Sequence, residues 1–174
     1  MKVILRQWRE EDLEPFAALN CDPEVMRYFP APLTREQSEA FARRQLDLIV
    51  TRGWGLWAVE ADGAFAGFTG LSVPSFEAPF MPCVEVGWRL ARPFWGRSIG
   101  FEAARQAVEH AFGWIGLDEL MSFTATVNLR SRRLMERLGF AHDLAGDFLH
   151  PKIPADHELC RHVLYRKRRP ASGS

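Results

Sequence analysis

The sequence has few cysteines and no excess of either charge. Its three cysteines, Cys21, Cys83 and Cys160, share no close spacing along the 174 residues. A scattered, odd-numbered set predicts reduced thiols in a cytoplasmic protein rather than a disulfide scaffold. Lys plus Arg equals Asp plus Glu, 22 each, so the formal net charge is zero. Because a neutral chain has no overall attraction for nucleic acid or anionic membranes, we expect neither as a partner.

Long apolar segments and ligand motifs are also missing. No apolar run approaches the ~18 residues of a membrane helix, and the opening MKVILRQWREED lacks the features of a signal peptide. The five histidines are not paired at ligand spacing, so no metal site is expected. Neither a Gly-Lys-Ser/Thr loop nor a three-glycine dinucleotide fingerprint is present. With 47% apolar residues, the sequence predicts one soluble globular domain.

Hydrophobic periodicity predicts an α/β fold with a mixed sheet. A capping box at 34–37 opens a helix that ends at Gly53, and Asp62-Gly63 forms a hairpin turn. A long amphipathic helix follows the turn at 95–100, and a short helix covers 131–138. The predicted strands cover 2–8, 54–60, 65–73, 84–90, 119–127, 140–147 and 158–167. Because a helix joins 84–90 to 119–127, these two strands should be parallel.

The turn from Trp95 to Gly100 is a candidate anion site. It connects a strand to the long helix, whose first backbone amides lack partners within the helix. Free amides and the helix dipole suit a pyrophosphate, and Arg97 adds a positive charge. Taken alone, the same residues are equally compatible with a purely structural turn.

A second junction, Asn128-Leu129-Arg130-Ser131, follows the next strand. Asn and Ser at such a position are more often helix caps than catalysts. Two parallel strands that each run into a helix bring both junctions to one edge of the sheet. Ligands of open α/β sheets bind at that edge, so the pairing predicts a ligand site.

The stretch VEVGWRLARPFWGRSIGFEAARQAVEHAF, followed by NLRSRRLMERLGF, resembles the GNAT superfamily of acetyl-CoA-dependent N-acetyltransferases, in its RimJ/RimL-like branch. The resemblance extends from REEDLEPF near the start to RHVLYRKR near the end. It implies a mostly antiparallel sheet of six to seven strands, flanked by about four helices, with a splayed parallel pair at its centre. It also implies one acyl-CoA N-acyltransferase domain over 1–167, and we expect 168–174 to be disordered.

The resemblance implies acetyl-CoA as co-substrate, with its pantetheine between the strands that end at Leu90 and Val127. The family usually has Gly where this chain has Ser98. Because Ser is a good N-cap, we expect a negative φ and a capping hydroxyl there; a positive φ would be strained. The cofactor-binding residues implied by the resemblance are Trp88, Arg89, Leu90, Trp95, Gly96, Arg97, Ser98, Ile99, Gly100, Asn128, Ser131 and Met135.

The resemblance also suggests how the leaving group is stabilised. Many relatives have a Tyr acid seven residues after the Asn, where this chain has Met135. The RimJ/RimL-like branch commonly has Ser three residues after the Asn, which matches Ser131. We therefore expect Ser131 nearest the leaving thiolate. Arg132 and Arg133 are candidates for phosphate contacts, although one of them is expected to be an ordinary solvated charge.

A base must take a proton from the attacking ammonium. Glu85 lies on the opposite strand face from Val84 and Val86 and is the candidate, but a pair with Arg89 is an equally good interpretation. Glu102 is the second candidate, although in the first turn of a helix it complements the dipole. His150, His157 and His162 are further possible bases, and lone histidines are mostly structural.

The predicted activity is transfer of acetyl to a primary amine by direct attack in a ternary complex. Tyr28 and Phe29 could form one wall of the acceptor pocket, or they could pack in the core. The acceptor is open among a protein N-terminus, a polyamine, an amino acid and an antibiotic amine. The alternative is an acyl-CoA-binding module with little or no catalysis. A homodimer is expected from the resemblance alone.

Overall fold

The computed structural model describes residues 1–171, and within them the strands form one eight-stranded sheet. Four α-helices accompany it. In chain order the elements are β1 Val3–Arg6, α1 Leu13–Cys21, α2 Arg35–Arg52, β2 Leu56–Ala61, β3 Ala64–Ser72, β4 Glu85–Leu90, α3 Ile99–His110, β5 Glu119–Ala125, α4 Leu129–Arg137, β6 Ala141–His142, β7 Phe148–Leu149 and β8 Arg161–Arg168.

The sheet order is β1-β2-β3-β4-β5-β8-β6, with β7 also paired to β8. The neighbours are antiparallel except for β4 and β5, which are parallel and share a single register pair, Glu85 with Met121. The amide of Met121 donates to the carbonyl of Val84 at 3.0 Å. This arrangement confirms the predicted α/β fold with a splayed, parallel central pair.

Local signals in the sequence explain where the elements begin and end. Thr34 accepts a hydrogen bond from the amide of Gln37, and the Gln37 side chain accepts one from the amide of Thr34, so α2 has a complete capping box. Gly53 ends α2 with φ 83°. Asp62 and Gly63 both have positive φ, as a tight hairpin between β2 and β3 requires.

The two faces of the sheet are covered by different helices. On one face, Val86 of β4 packs with Ala104 and Val108 of α3, beside α4. On the other face, Phe68 of β3 packs with Phe16 of α1 under α2. Strand β4 therefore lies between two layers, so its alternate side chains enter different environments.

The structure corrects three details of the predicted fold. The segment predicted as one strand over 140–147 is interrupted by a turn, so β6 and β7 are separate and the sheet has eight strands rather than six to seven. The expected disordered tail over 168–174 is wrong at its start, because Arg168 is the last residue of β8. The amide of Arg169 also donates to the carbonyl of Asp118 at 2.8 Å. Residues 172–174 lie outside the described residues.

Within residues 1–171, no helix is long and apolar enough to cross a membrane.

Candidate active site

A gap opens between β4 and β5 beyond their single register pair. The Ser122 hydroxyl on β5 donates to the carbonyl of Val86 at 2.9 Å, whereas the carbonyl of Gly87 accepts from the Thr69 hydroxyl of β3. Because peptide groups alternate in direction along a strand, those of Trp88 and Leu90 point, like that of Val86, toward β5. The structure therefore aims backbone hydrogen-bonding groups of β4 into the gap, at the place expected for a pantetheine.

The turn before α3 has the backbone of an anion-binding nest. Gly96 has φ 71° and Ser98 has φ 60°, both in the left-handed region. Left-handed residues next to right-handed ones turn successive N–H groups toward one point, which suits a phosphate. The α3 N-terminus adds its free amides directly after Ser98. A Cβ added at Gly96 would meet no atom within 4 Å, so this turn is open on that side.

The conformation of Ser98 corrects the expectation made for it. The expected negative φ is wrong, and its side chain makes no capping hydrogen bond. The reason is that the turn itself requires a left-handed residue at this position, a conformation that costs a non-glycine residue free energy. Preference for Ser at helix starts could not reveal this, because it reports on an extended N-cap residue.

Residues around the turn hold it against the end of β4. The Trp95 indole donates to the carbonyl of Leu90 at 2.8 Å. A Cβ at Gly100 would lie 3.1 Å from the Leu90 side chain, so the absence of a side chain lets α3 approach β4 closely. The Arg130 guanidinium of α4 lies 4.5 Å from the centre of the Trp95 ring. Sequence analysis did not select Arg130, although its place inside the second junction was the available signal.

Asn128 and Ser131 occupy the facing junction. The Asn128 side chain accepts from the amide of Ser131 at 3.3 Å and donates to the Thr124 hydroxyl at 2.9 Å, so it caps α4 and fixes it to β5. The Ser131 hydroxyl accepts from the Trp88 indole at 3.2 Å. That bond joins α4 to β4 across the gap. It also leaves the hydroxyl proton of Ser131 available to a further acceptor.

Two nearby side chains differ from their predicted roles. Met135 was expected to bind the cofactor, but its side chain is 1% exposed within the core formed with α3. It faces inward because α4 turns its apolar stripe toward α3. Arg132 donates to the carbonyl of Thr126 at 3.1 Å and lies near the Tyr165 hydroxyl, so it holds α4 in place. Arg133 is exposed.

Glu85 lies on the other face of β4, beside the position of Gly87. A Cβ added at Gly87 would lie 3.8 Å from a carboxylate oxygen of Glu85, and the Ser72 hydroxyl donates to the other oxygen at 3.3 Å. Burial raises the pKa of Glu85 to about 8, which the Ser72 hydrogen bond partly opposes. A carboxyl with a pKa near neutrality is suited to accept and release protons.

Arg89 shares this face but does not pair with Glu85. Its Nη1 donates to Oδ1 of Asn20 at 2.6 Å, and its guanidinium lies 4.1 Å from the centre of the Phe29 ring. The predicted alternative in which Glu85 and Arg89 form an ion pair is therefore wrong. The peptide of residue 89 points toward β3, like the carbonyl of Gly87 and the amide of Ala91 on either side of it, so its backbone is directed away from the gap. The expected backbone contact of Arg89 with the cofactor stays a prediction that this direction does not favour.

Tyr28 and Phe29 bridge the gap on the same face. Tyr28 packs against the buried cluster that includes Ala125 at the end of β5, and Phe29 lies over Arg89 near the end of β4. The segment between α1 and α2 thus crosses the opening with one aromatic residue on each side. This placement is compatible with one wall of an acceptor pocket. Tyr28 is at the same time partly buried against the core.

The remaining candidate bases lie in other settings. Glu102 bonds Arg105 and Gln106 on α3, away from Glu85. His150 and His162 pack together, with ring centres 4.9 Å apart, and burial lowers the pKa of His162 to about 4. A group with that pKa is a weak base. His157 accepts from the amide of Leu159 and so has a structural role in its turn.

Sequence comparisons find a matching family and a matching relative. The sequence matches the acetyltransferase (GNAT) domain family over residues 2–141. It is 34% identical over 131 residues to an FsC-acetyl coenzyme A-N(2)-transacetylase of Aspergillus fumigatus, covering 71% of this chain. The chain spans 56% of the length of that relative.

Solved structures show the same fold. An acetyltransferase (GNAT family) from Bacillus anthracis has a TM-score of 0.79 at 20% identity, covering 98% of this chain and 97% of that one. A spermidine N-acetyltransferase from Vibrio cholerae, in complex with CoA and spermine, has a TM-score of 0.74 at 18% identity, covering 96% and 95%. At these identities the likeness concerns the fold.

Proposed function

The chain belongs to the GNAT acetyltransferase family, and from that premise we propose that it transfers acetyl from acetyl-CoA to a primary amine by direct attack in a ternary complex. The observation that carries the proposal is the joint geometry of β4. Its backbone faces an open gap beside an anion-binding nest, and its Glu85 side chain lies on the opposite face. One strand therefore separates a place for the donor from a place for the acceptor.

The residues of the donor side fit acetyl-CoA, which when bound supplies an activated acetyl thioester. The nest from Gly96 to Gly100 would bind the pyrophosphate through backbone amides, with Arg97 and Arg130 at its edge. The peptide groups of Trp88 and Leu90 would bind the pantetheine, and an amide near Leu90 would stabilise developing negative charge on the carbonyl oxygen. The Ser131 hydroxyl would donate to the leaving sulfur.

Glu85 would act as the proton acceptor for the amine. In its ionised form the carboxylate would take a proton from the ammonium group, and the raised pKa makes it a stronger base than an ordinary carboxylate. Tyr28 and Phe29 would border the acceptor. None of these roles requires a covalent enzyme intermediate.

Two finer assignments accompany the proposal. We place the chain in the RimJ/RimL-like branch, supported by Trp95 at the first position of the turn and by Ser131 three residues after Asn128. We also propose a cytoplasmic location, supported by the three scattered thiols.

The test is release of CoA thiol in the presence of acetyl-CoA and a panel of amines, together with thermal unfolding. The panel contains amino acids, amino acid amides, polyamines, aminoglycosides and short peptides with free N-termini. We expect acetyl-CoA at millimolar concentration to raise the melting temperature, because it binds the folded state. We also expect thiol release that depends on one class of amine. Stabilisation by acetyl-CoA without turnover of any amine would favour the acyl-CoA-binding module instead.

A further inference from the structure

Arg89 is a partly buried cation held by neutral groups. Its Nη1 donates to the carbonyl oxygen of Asn20, while its Nε is shielded from solvent and has no hydrogen-bond partner among the described residues. Within residues 1–171, no carboxylate oxygen lies within 4 Å of its guanidinium. Burial lowers the pKa of Arg89 to about 10, so its charged form is less stable here than in water.

Arg6 is an arginine of the same protein whose positive charge is paired with carboxylates. It contacts the carboxylates of Asp12 and Glu60, each at 2.7 Å, and these partners raise its pKa. A buried guanidinium is expected to have such partners, because an unpaired buried charge is costly. Arg89 has a neutral amide oxygen as its partner in place of a carboxylate.

The surroundings of Arg89 are built to hold it in place. Asn20 is fully buried, and its amide donates to the Ser38 hydroxyl at 3.0 Å. That hydroxyl donates in turn to the carbonyl of Thr34 at 2.9 Å. Two aromatic rings, of Phe29 and Phe68, lie 4.1 and 5.4 Å from the guanidinium carbon. The side chain is thus oriented by α1, by the segment after α1 and by β3, with part of its donor set unused.

The position of Arg89 connects it to the proposed reaction. Glu85, Gly87 and Arg89 share one face of β4, and Gly87 presents open space between the two charged side chains. Two strand steps of about 3.3 Å separate Gly87 from Arg89. An acceptor whose amine lies near Glu85 and Gly87 therefore extends toward Arg89.

From this geometry we infer that the acceptor is an amine that also bears a carboxylate, and that Arg89 binds this carboxylate under Phe29. The inference rests on the proposed acetyl transfer to an amine. A guanidinium presents parallel N–H donors that match a carboxylate. Asn20 bonds only Nη1, and Nη2, which has no hydrogen-bond partner among the described residues and is not shielded from solvent, is available for that contact. Because like charges repel, a partly buried arginine at this place disfavours polyamines as acceptors.

The experiment measures kcat/KM for matched acceptors that differ only in the carboxylate. Glycine, β-alanine and 4-aminobutanoate form a series in which the distance between amine and carboxylate increases. The common L-amino acids vary the side chain, and the corresponding amides remove the negative charge. Spermine represents the polyamines. For the wild type, we expect the best carboxylate acceptor to exceed its amide by about tenfold to a hundredfold. Equal rates with acid and amide, or preference for spermine, would overturn the inference.

Variants separate the role of Arg89 from a structural one. Arg89→Gln should lower kcat/KM for the carboxylate acceptor by about tenfold to a hundredfold, mainly through KM, while the amide changes less than threefold. Arg89→Lys keeps the charge but loses the planar fork, so it should retain part of the preference. The matched control is Arg92→Gln, which removes a nearby exposed arginine that already pairs with Asp22. It should leave the acid-to-amide ratio unchanged.

A binding measurement keeps the inference distinct from the proposed function. Calorimetry in the presence of CoA measures binding of the N-acetylated acids and of their amides, with no turnover required. Binding of the acid that is lost in Arg89→Gln would support the carboxylate site even if no amine were acetylated, a result that would contradict only the proposed function. Turnover of amines, with acids and amides bound equally by both proteins, would contradict only the carboxylate site.

Discussion

The two faces of β4 differ in how their functional groups are partnered. On the face proposed for the acetyl donor, the Trp88 indole donates to the Ser131 hydroxyl and the Trp95 indole donates to the carbonyl of Leu90, so neutral hydrogen bonds hold these groups in position. On the acceptor face, Glu85 and Arg89 are ionisable, lie on the same strand and do not contact each other. Burial moves the pKa of each toward neutrality, to about 8 and about 10. The groups of the proposed donor face are already held by hydrogen bonds within the protein. The proposed acceptor face has two ionisable side chains that a bound substrate would pair with.

The largest effect is expected when the proposed general base of the acceptor face, Glu85, is removed. Glu85→Gln should lower kcat by about a hundredfold to a thousandfold, because the variant cannot accept the ammonium proton. Its affinity for acetyl-CoA should change little. In the wild type, activity should rise with pH through about 8 as Glu85 ionises, and the variant should lose that step in a rate-against-pH profile.

Ser72→Ala provides a matched control for the Glu85 experiment. The Ser72 hydroxyl bonds the Glu85 carboxylate and lowers its pKa, so its removal should move the profile to higher pH without abolishing turnover. A Glu85→Gln enzyme with wild-type kcat and profile would show that the base lies elsewhere.

A smaller effect is expected on the donor face. Ser131→Ala should lower kcat by about tenfold, with little change in the dissociation constant for acetyl-CoA, because a contact to the leaving sulfur strengthens in the transition state. Stopped-assay thiol release and calorimetry measure the two quantities. Ser131→Thr retains a hydroxyl and serves as the control. Unchanged turnover in the Ala variant would restrict Ser131 to its structural bond with Trp88.

In the turn before α3, replacing Ser98 by Gly should increase both the stability of the protein and its affinity for acetyl-CoA. Ser98 has φ 60°, so Ser98→Gly should relieve strain of about 1 kcal/mol. Acetyl-CoA should bind several-fold tighter if the strained turn limits the nest. The opposite control is Gly96→Ala, which places a side chain at φ 71° and should weaken both stability and binding. Denaturant unfolding and ligand titration provide the readouts, and a less stable Ser98→Gly protein would contradict this interpretation of the turn.

The smallest effect concerns stability against pH. The folded state keeps Glu85 protonated up to about pH 8, whereas an unfolded glutamate ionises near its model value of 4.5. Between these values the folded state binds more protons, so this group makes the unfolding free energy fall as pH rises. Glu85→Gln removes that loss, so its melting temperature relative to wild type should be higher at pH 9 than at pH 4 by several degrees. An equal difference at both pH values would contradict the raised pKa.

Sequence signals predicted the donor side better than the acceptor side. The turn at 95–100 and the Asn128–Ser131 junction are short contiguous motifs, and the parallel arrangement of the strands before them was enough to bring them together. Two details of these motifs differ from the prediction. Ser98 was expected to be a cap and has a left-handed backbone, and Met135 was expected at the cofactor and lies in the core.

The acceptor side combines residues that are distant in sequence. Asn20, Phe29 and Arg89 meet only because α1 and the segment after it fold over β4. Alternation within β4 placed Glu85 and Arg89 on one face, but it could not decide whether they pair. That outcome depended on Asn20, which offers a neutral acceptor to the guanidinium from 69 positions away.

The sequence by itself determined the elements, the capped helix ends, the parallel crossover around α3 and the motifs at one sheet edge, because these follow from periodicity and local backbone preference. Tertiary structure alone decided the conformation of Ser98, the inward position of Met135 and the separation of Glu85 from Arg89. The physical reason is that strain, burial and the partner of a charge are properties of the packed environment, and that environment is assembled from distant parts of the chain.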